Sequence, residues 1–224
     1  MKVTTDGCLF GAWVAHRLAI KENKANRLLD IGCGTGLLTL MIAQQNNIQT
    51  DAVEIDQAAA EQANENIATS PWKNNIRVIH SAIQQFTPPS TYDCIVSNPP
   101  FYENDLGSDN PRKNIAHHDK GLLLSELIAI IKRMLHPSGH FYLLLPYKRL
   151  DELYKLLTAE GLVAQYVVLI SQSTKHSHFR VMVEGGFSKG NNNVTTSNKI
   201  SIRDSRENYT DEFTELLKDY YLHL

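Results

Sequence analysis

Arg27-Leu28-Leu29-Asp30-Ile31-Gly32-Cys33-Gly34-Thr35-Gly36 is the stretch from which the rest of the chain can be read. Arg27–Ile31 is an apolar run short enough for a buried strand. The alternating glycines after it let the backbone turn tightly and approach a ligand with no Cβ in the way. Leu37, Leu38, Leu40, Met41 and Ile42 then supply the apolar side of a helix over Gly36–Asn46. A strand, a glycine-rich turn and a helix in that order open a doubly wound α/β sheet.

The same rhythm continues outward. Thr50–Glu54, Asn75–Ile79, Tyr92–Ser97 and His140–Leu145 read as further strands, with helices over Gln57–Ile67, Leu122–Leu135, Lys148–Glu160 and Asp211–Tyr221. Val163–Ile170 and Phe179–Phe187 are long, β-branched and joined by a polar loop, which predicts an antiparallel pair. Lys199–Arg203 is a candidate edge strand. The expectation is one domain over residues 1–224: an N-terminal segment to 26, a core over 27–187, and a loop and terminal helix over 188–224. Tyr102–Gly121 has no clear period and is long for a loop inside a compact domain, and Ser188–Asn198 reads as a flexible surface loop.

A net charge of −2 makes the whole molecule no magnet for nucleic acid, so any such contact needs a local basic patch. Cys8, Cys33 and Cys94 are odd in number and lack CxxC spacing, which favours buried reduced thiols over disulfides or zinc. The nine histidines form no metal-ligand pattern, and no metal is expected. No secretory signal or membrane-length apolar run is visible, so the expected location is the cytoplasm.

Three constellations carry chemistry. The glycine turn has GxGxG spacing, not the GxGxxG of a pyrophosphate site, with Asp30 two positions ahead. That carboxylate would repel a phosphate and attract an amino group, favouring the amino-acid end of S-adenosylmethionine over a dinucleotide; a generic strand–helix turn is the plain alternative. Glu54, about twenty residues further on, is placed to accept both ribose hydroxyls, while Asp56 fits a helix cap. Asn98-Pro99-Pro100-Phe101 follows a buried strand, and two prolines force a rigid turn there because neither has an N–H. The turn exposes an amide, carbonyls without competing donors, and a ring.

These residues resemble the class I methyltransferases that use S-adenosylmethionine, which implies a Rossmann-like, seven-stranded, mostly parallel sheet with an antiparallel C-terminal hairpin and helices on both faces. Asn98–Phe101 is similar to the (Asn/Asp)-Pro-Pro-(Tyr/Phe) motif of enzymes that methylate planar NH₂ groups. In that family the Asn oxygen and the following carbonyl accept hydrogen bonds from the target amine, and the aromatic residue stacks on its plane. The resemblance thus assigns catalysis to Asn98, Pro99 and Phe101. Lys2-Val3-Thr4-Thr5-Asp6-Gly7, the stretch Glu61–Trp72 and the tail around Tyr209 and Leu217–Leu222 resemble the tRNA methyltransferases that modify the adenosine beside the anticodon of a valine tRNA. The likeness covers nearly the whole chain. It implies donor contacts from Thr5, Asp6, Asp30, Gly32, Gly34, Gly36, Glu54, Ile55, Ala82, Ile83 and Asn98. Family members carry an acid where this chain has Ala82, so adenine is expected to be held by backbone and apolar contacts.

The expected reaction is therefore methyl transfer to N6 of a tRNA adenine by a monomer. Arg112, Lys113, Lys175 and Arg180 are the candidate RNA contacts, each also readable as an ordinary solvated charge. The rivals are a release-factor glutamine-amide methyltransferase, which normally has a helical domain ahead of the core that is not expected here, and a DNA adenine methyltransferase. A methyltransferase-like binding subunit without turnover is the rival from another class.

Overall fold

The computed structural model describes residues 3–21, 25–99, 122–188, 190 and 195–223. Pro100, Phe101, residues 102–121 with Arg112 and Lys113, and residues 189 and 191–194 lie outside the described residues.

The elements run α1 (Thr5–Ala19), β1 (Arg27–Ile31), α2 (Leu37–Gln45), β2 (Gln49–Glu54), α3 (Gln57–Ala68), β3 (Ile76–His80), β4 (Tyr92–Ser97), α4 (Leu124–Met134), β5 (Leu135–Pro146), a 3-10 turn (Tyr147–Arg149), α5 (Leu150–Ala159), β6 (Leu162–Ser173), β7 (His178–Phe187), β8 (Thr196–Arg203) and α6 (Asp211–Leu217). One sheet holds all the strands in the order β3-β2-β1-β4-β5-β7-β6-β8. Among the described residues only β7 runs against the others, pairing antiparallel with β5 on one side and β6 on the other. The C-terminal ends of the remaining strands therefore share one edge, where open α/β sheets bind ligands.

The expected count of seven strands is corrected to eight among the described residues. The candidate edge strand begins earlier than expected, at Thr196, and pairs in parallel with β6 from Tyr166↔Thr196 to Ser173↔Arg203. Its polar first half, with Thr196, Ser197, Asn198 and Lys199 exposed, hid it; one flank of an edge strand faces water, so composition there reads as loop.

Alternation along the central strands builds two cores. Leu28, Cys94, Val96, Tyr142 and Leu144 point to the face covered by α1, α2 and α6. Leu29, Ile95, Phe141, Leu143 and Leu145 point to the face covered by α4 and α5. All three cysteines are free and buried, as expected.

The sequence reading left α1 as an undivided N-terminal segment. Two glycines weaken its helical signal, since each costs about 1 kcal/mol relative to Ala in a helix. Packing explains Gly11: a Cβ there would come within 2.8 Å of the Met41 sulfur, so the glycine lets α1 lie close on α2. Thr4 caps the helix by accepting a hydrogen bond from Gly7 N at 3.3 Å. Among the described residues no helix is long and apolar enough to cross a membrane.

Candidate active site

The C-terminal edge is locked where β1, β2 and β4 end. Gly32 N and Cys33 N both donate to the Val53 carbonyl, at 2.9 and 3.1 Å. Ser97, fully buried, donates its hydroxyl to the Ile31 carbonyl at 2.8 Å. These bonds fix the start of the glycine turn to β2 and the start of the asparagine–proline corner to β1. Gly32, Gly34 and Gly36 all have left-handed φ values, of 72°, 56° and 85°. This is the conformation only glycine adopts freely, which accounts for the GxGxG spacing. A Cβ on Gly32 would meet nothing within 4 Å, so the space beside the turn is open.

Two acids flank that space. Glu54 is buried at the end of β2, and its two oxygens accept from Gly34 N at 2.8 Å and Asp56 N at 2.9 Å. Asp56 caps α3 by accepting from Ala59 N at 2.8 Å, as expected for it. Asp30 is fully buried; Oδ2 accepts the Thr39 hydroxyl at 2.6 Å, and Oδ1 has no hydrogen-bond partner among the described residues. Burial, with the Glu54 charge adding and the Thr39 hydrogen bond opposing, pushes the Asp30 carboxyl up to about 7. The same burial, with both acids close by, pushes the Cys33 thiol well above its ordinary range, which removes it as a nucleophile.

Asn98 is half-buried and Pro99 buried directly after β4. The start of α1 lies over this corner: a Cβ on Gly7 would be 3.8 Å from the Asn98 amide nitrogen. Thr5 is exposed, and Asp6 is ion-paired with Arg180 of β7 at 2.8 Å. Burial pushes the Asp6 carboxyl up, but the hydrogen bonds from Arg180 and Thr4 outweigh it, leaving a net fall below the usual carboxylate range. The sequence thus scatters Thr5, Asp6, Asp30, Glu54 and Asn98 over the chain, and the fold gathers them along one edge. Ile55 is two-thirds exposed at 67%, and its carbonyl lies 3.1 Å from His80 Nε2. Ile83 is buried against the α4 face, and Ala82 is half-buried in the loop after β3.

The candidate RNA contacts fare differently. Arg180 is committed to Asp6, and Lys175 donates to the Ser205 carbonyl at 2.9 Å. Arg112, Lys113 and the aromatic Phe101 lie outside the described residues. Sequence reading missed Thr39 as the partner of Asp30; a lone Thr on a helix gives no signal until the strand is placed beneath it. It also missed a cavity of about 210 Å³ beside the corner, lined by Thr5, Asp6, Gln172, Phe179, Ile202, Arg203 and Tyr209.

Comparison with known proteins agrees with this geometry. Residues 15–150 match the methyltransferase small domain. A Dyadobacter fermentans protein named tRNA1(Val) (adenine(37)-N6)-methyltransferase is 40% identical over 99% of this chain and 91% of its own length. Among solved structures, a predicted O-methyltransferase of Agrobacterium tumefaciens superposes with a TM-score of 0.71 at 14% identity, covering 95% of each chain. The glycopeptide N-methyltransferase MtfA, solved with S-adenosyl-L-methionine, gives 0.60 at 13% identity, covering 82% of this chain and 95% of that one. These two share the fold. The 40% identity with the Dyadobacter protein over nearly the whole of both chains carries the finer assignment, and this chain belongs to the tRNA1(Val) (adenine(37)-N6)-methyltransferase family.

Proposed function

We propose that this chain is a single-domain, monomeric enzyme of the cytoplasm that transfers the methyl group of S-adenosyl-L-methionine to N6 of adenosine 37 in a valine tRNA, as its relatives' names state for them. The observation that carries the chemistry is the placement of Asn98: its amide stands at the strand edge between the glycine turn and the start of α1.

The residues present suit the donor. Asp30 Oδ1 is a buried acceptor lacking a donor, which an ammonium group would satisfy, and such a cation would return the carboxyl to its charged form. Glu54 retains lone pairs for the ribose hydroxyls, and the open side of Gly32 admits a close approach. Ile55 and Ala82 offer an apolar surface for the adenine ring. The donor supplies an electrophilic methyl group on a sulfonium.

The chain's own part is alignment. An exocyclic adenine amine is a poor nucleophile because its lone pair is conjugated into the ring. The Asn98 side-chain oxygen and the Pro99 carbonyl, each accepting one N–H, would turn that lone pair toward the methyl group. The same dipoles would stabilise the positive charge that develops on nitrogen as the methyl–sulfur bond breaks to leave a neutral thioether. The methylated amine is then acidic enough to lose its extra proton to water, so no strong general base is needed. Phe101 would stack on the base. The Asp6–Arg180 pair and the Thr4 cap hold α1 over the corner, making them positioning residues.

Asn98→Ala tests this reading. We expect S-adenosylmethionine affinity within about 2-fold of wild type, while transfer to tRNA falls by about 10²-fold or more, the scale seen when a preorganised polar contact is removed. Equal turnover by the variant on labelled tRNA would remove the assignment. Label entering a release factor instead of tRNA would move the function to glutamine chemistry.

A further inference from the structure

The cavity beside the corner shares Thr5 and Asp6 with the donor contacts that the resemblance implies, but its other lining residues come from β6, β7, β8 and the turn after β8. Asp30, the glycine turn and Glu54 cluster at β1 and β2, whereas that lining lies on the other side of β4, at the C-terminal ends of β6 and β8. With strands about 4.8 Å apart, it sits roughly 10–15 Å along the same edge from Asn98. The first turn of α1 bridges that distance. Gly7 faces Asn98, and Thr5 and Asp6 form one wall of the cavity.

We propose that this cavity receives a nucleobase neighbouring the methylated one, so that the enzyme holds its RNA at two bases. This rests on the tRNA-methylating function proposed above.

The lining suits a flat, polar-edged ring. Tyr209 stacks on fully buried Phe213 with centroids 4.7 Å apart and an 18° interplanar angle, and the Arg203 guanidinium lies 4.4 Å from the Tyr209 centroid. Phe179 supplies a second, half-buried ring. Unpaired RNA bases stack on aromatic rings and on guanidinium planes. Gln172 is exposed and offers an amide donor and acceptor to a base edge. The acid in the wall does not repel RNA, because Asp6 is paired with Arg180.

The rim supplies the backbone charge. Lys175 stands on the turn between β6 and β7, and Arg206 on the turn after β8; both are exposed. The two turns are tied together, Thr174 N donating to the Arg203 carbonyl at 3.1 Å and Lys175 Nζ to the Ser205 carbonyl at 2.9 Å. They present two cations on a braced lip, with Asp204 and Glu207 on the same turn offsetting part of that charge.

The test uses anticodon stem-loops that each carry one abasic nucleotide near the target adenine, methylated by wild type, Phe179→Ala and Gln172→Ala. One abasic position should raise the wild-type KM by about 5- to 100-fold, the range for losing a stacked base. Phe179→Ala should raise KM on the intact loop by a similar factor. Combining variant and abasic loop should add little more, while the S-adenosylmethionine Kd stays unchanged throughout. Gln172→Ala, exposed and safe for folding, should alter the preference among the four bases at that position. Abasic loops methylated as well as intact ones, or losses that multiply, would overturn the inference and leave the tRNA function standing. Absence of any transfer to tRNA by wild type would overturn both.

Discussion

Asp30 is a residue whose ionisation the fold moves into the neutral pH range. In the unfolded chain its carboxyl titrates near 3.8; in the fold burial raises it to about 7. The folded state therefore binds the proton more tightly across that interval, and stability must fall as pH rises from about 4 to about 7. Asp30→Asn removes this dependence. Chemical unfolding should show the stability of the variant relative to wild type growing between pH 4 and pH 8, by on the order of 2–4 kcal/mol. In wild type, S-adenosylmethionine affinity should tighten from pH 6 to pH 8 as the carboxyl becomes easier to ionise beside an ammonium group; the variant should bind weakly with no such trend. Parallel pH curves for the two proteins would refute this. The carboxylate's place beside the turn was legible from its spacing to Gly32–Gly36. Its complete burial, and the Thr39 bond across the first turn of α2, were not, because neither follows from the local sequence.

Among the elements, the strand ends were legible because apolar runs with turn residues after them leave few alternatives. Tyr92–Ser97 is an example, buried at five of its six positions and stopped by Asn98-Pro99. What escaped was whatever depends on a distant partner: α1, whose glycines answer to α2, and β8, whose pairing answers to β6. The hairpin β6–β7 was expected as a pair, but its tight contact with β5 was not. Gly185 lies opposite Phe141, and an added Cβ would come within 2.7 Å of the Phe141 ring and press on the Val163 carbonyl. Gly185→Ala should cost about 3 kcal/mol through overpacking. That corresponds to a fall in Tm of roughly 6–12 °C for a chain of this size. A Tm within about 1 °C of wild type would show that the Phe141 ring and the β6 backbone at Val163 both yield.

On the scale of the whole molecule, two ion-pair clasps hold α1 across the sheet. Asp6–Arg180 fastens one end at 2.8 Å, and Glu184 fastens the other, at 2.7 Å from Arg17 and 2.8 Å from Lys21. Glu184 is buried, which raises its carboxyl, but the hydrogen bonds from Arg17 and Lys21 outweigh this and lower it overall. Removing one partner of such a buried cluster leaves the other uncompensated. Both clasps join residues more than 160 positions apart. The apolar underside of α1 likewise packs on Ile202, Phe213 and Leu217. This imposes an order of assembly. The glycine turn and the β1–β4 half of the sheet are built from residues that follow one another, whereas α1, though early in the chain and packed on α2, lacks both end clasps and part of its apolar cover until β7, β8 and α6 exist. Contacts of such long separation form late. A nascent chain halted before residue 178 should leave α1 open to protease while β1–β4 resists it, and release of the full chain should close that site. On the proposed assignment, the half given to the methyl donor can thus take shape on the ribosome, but the corner given to the target amine is finished only when the last strands arrive.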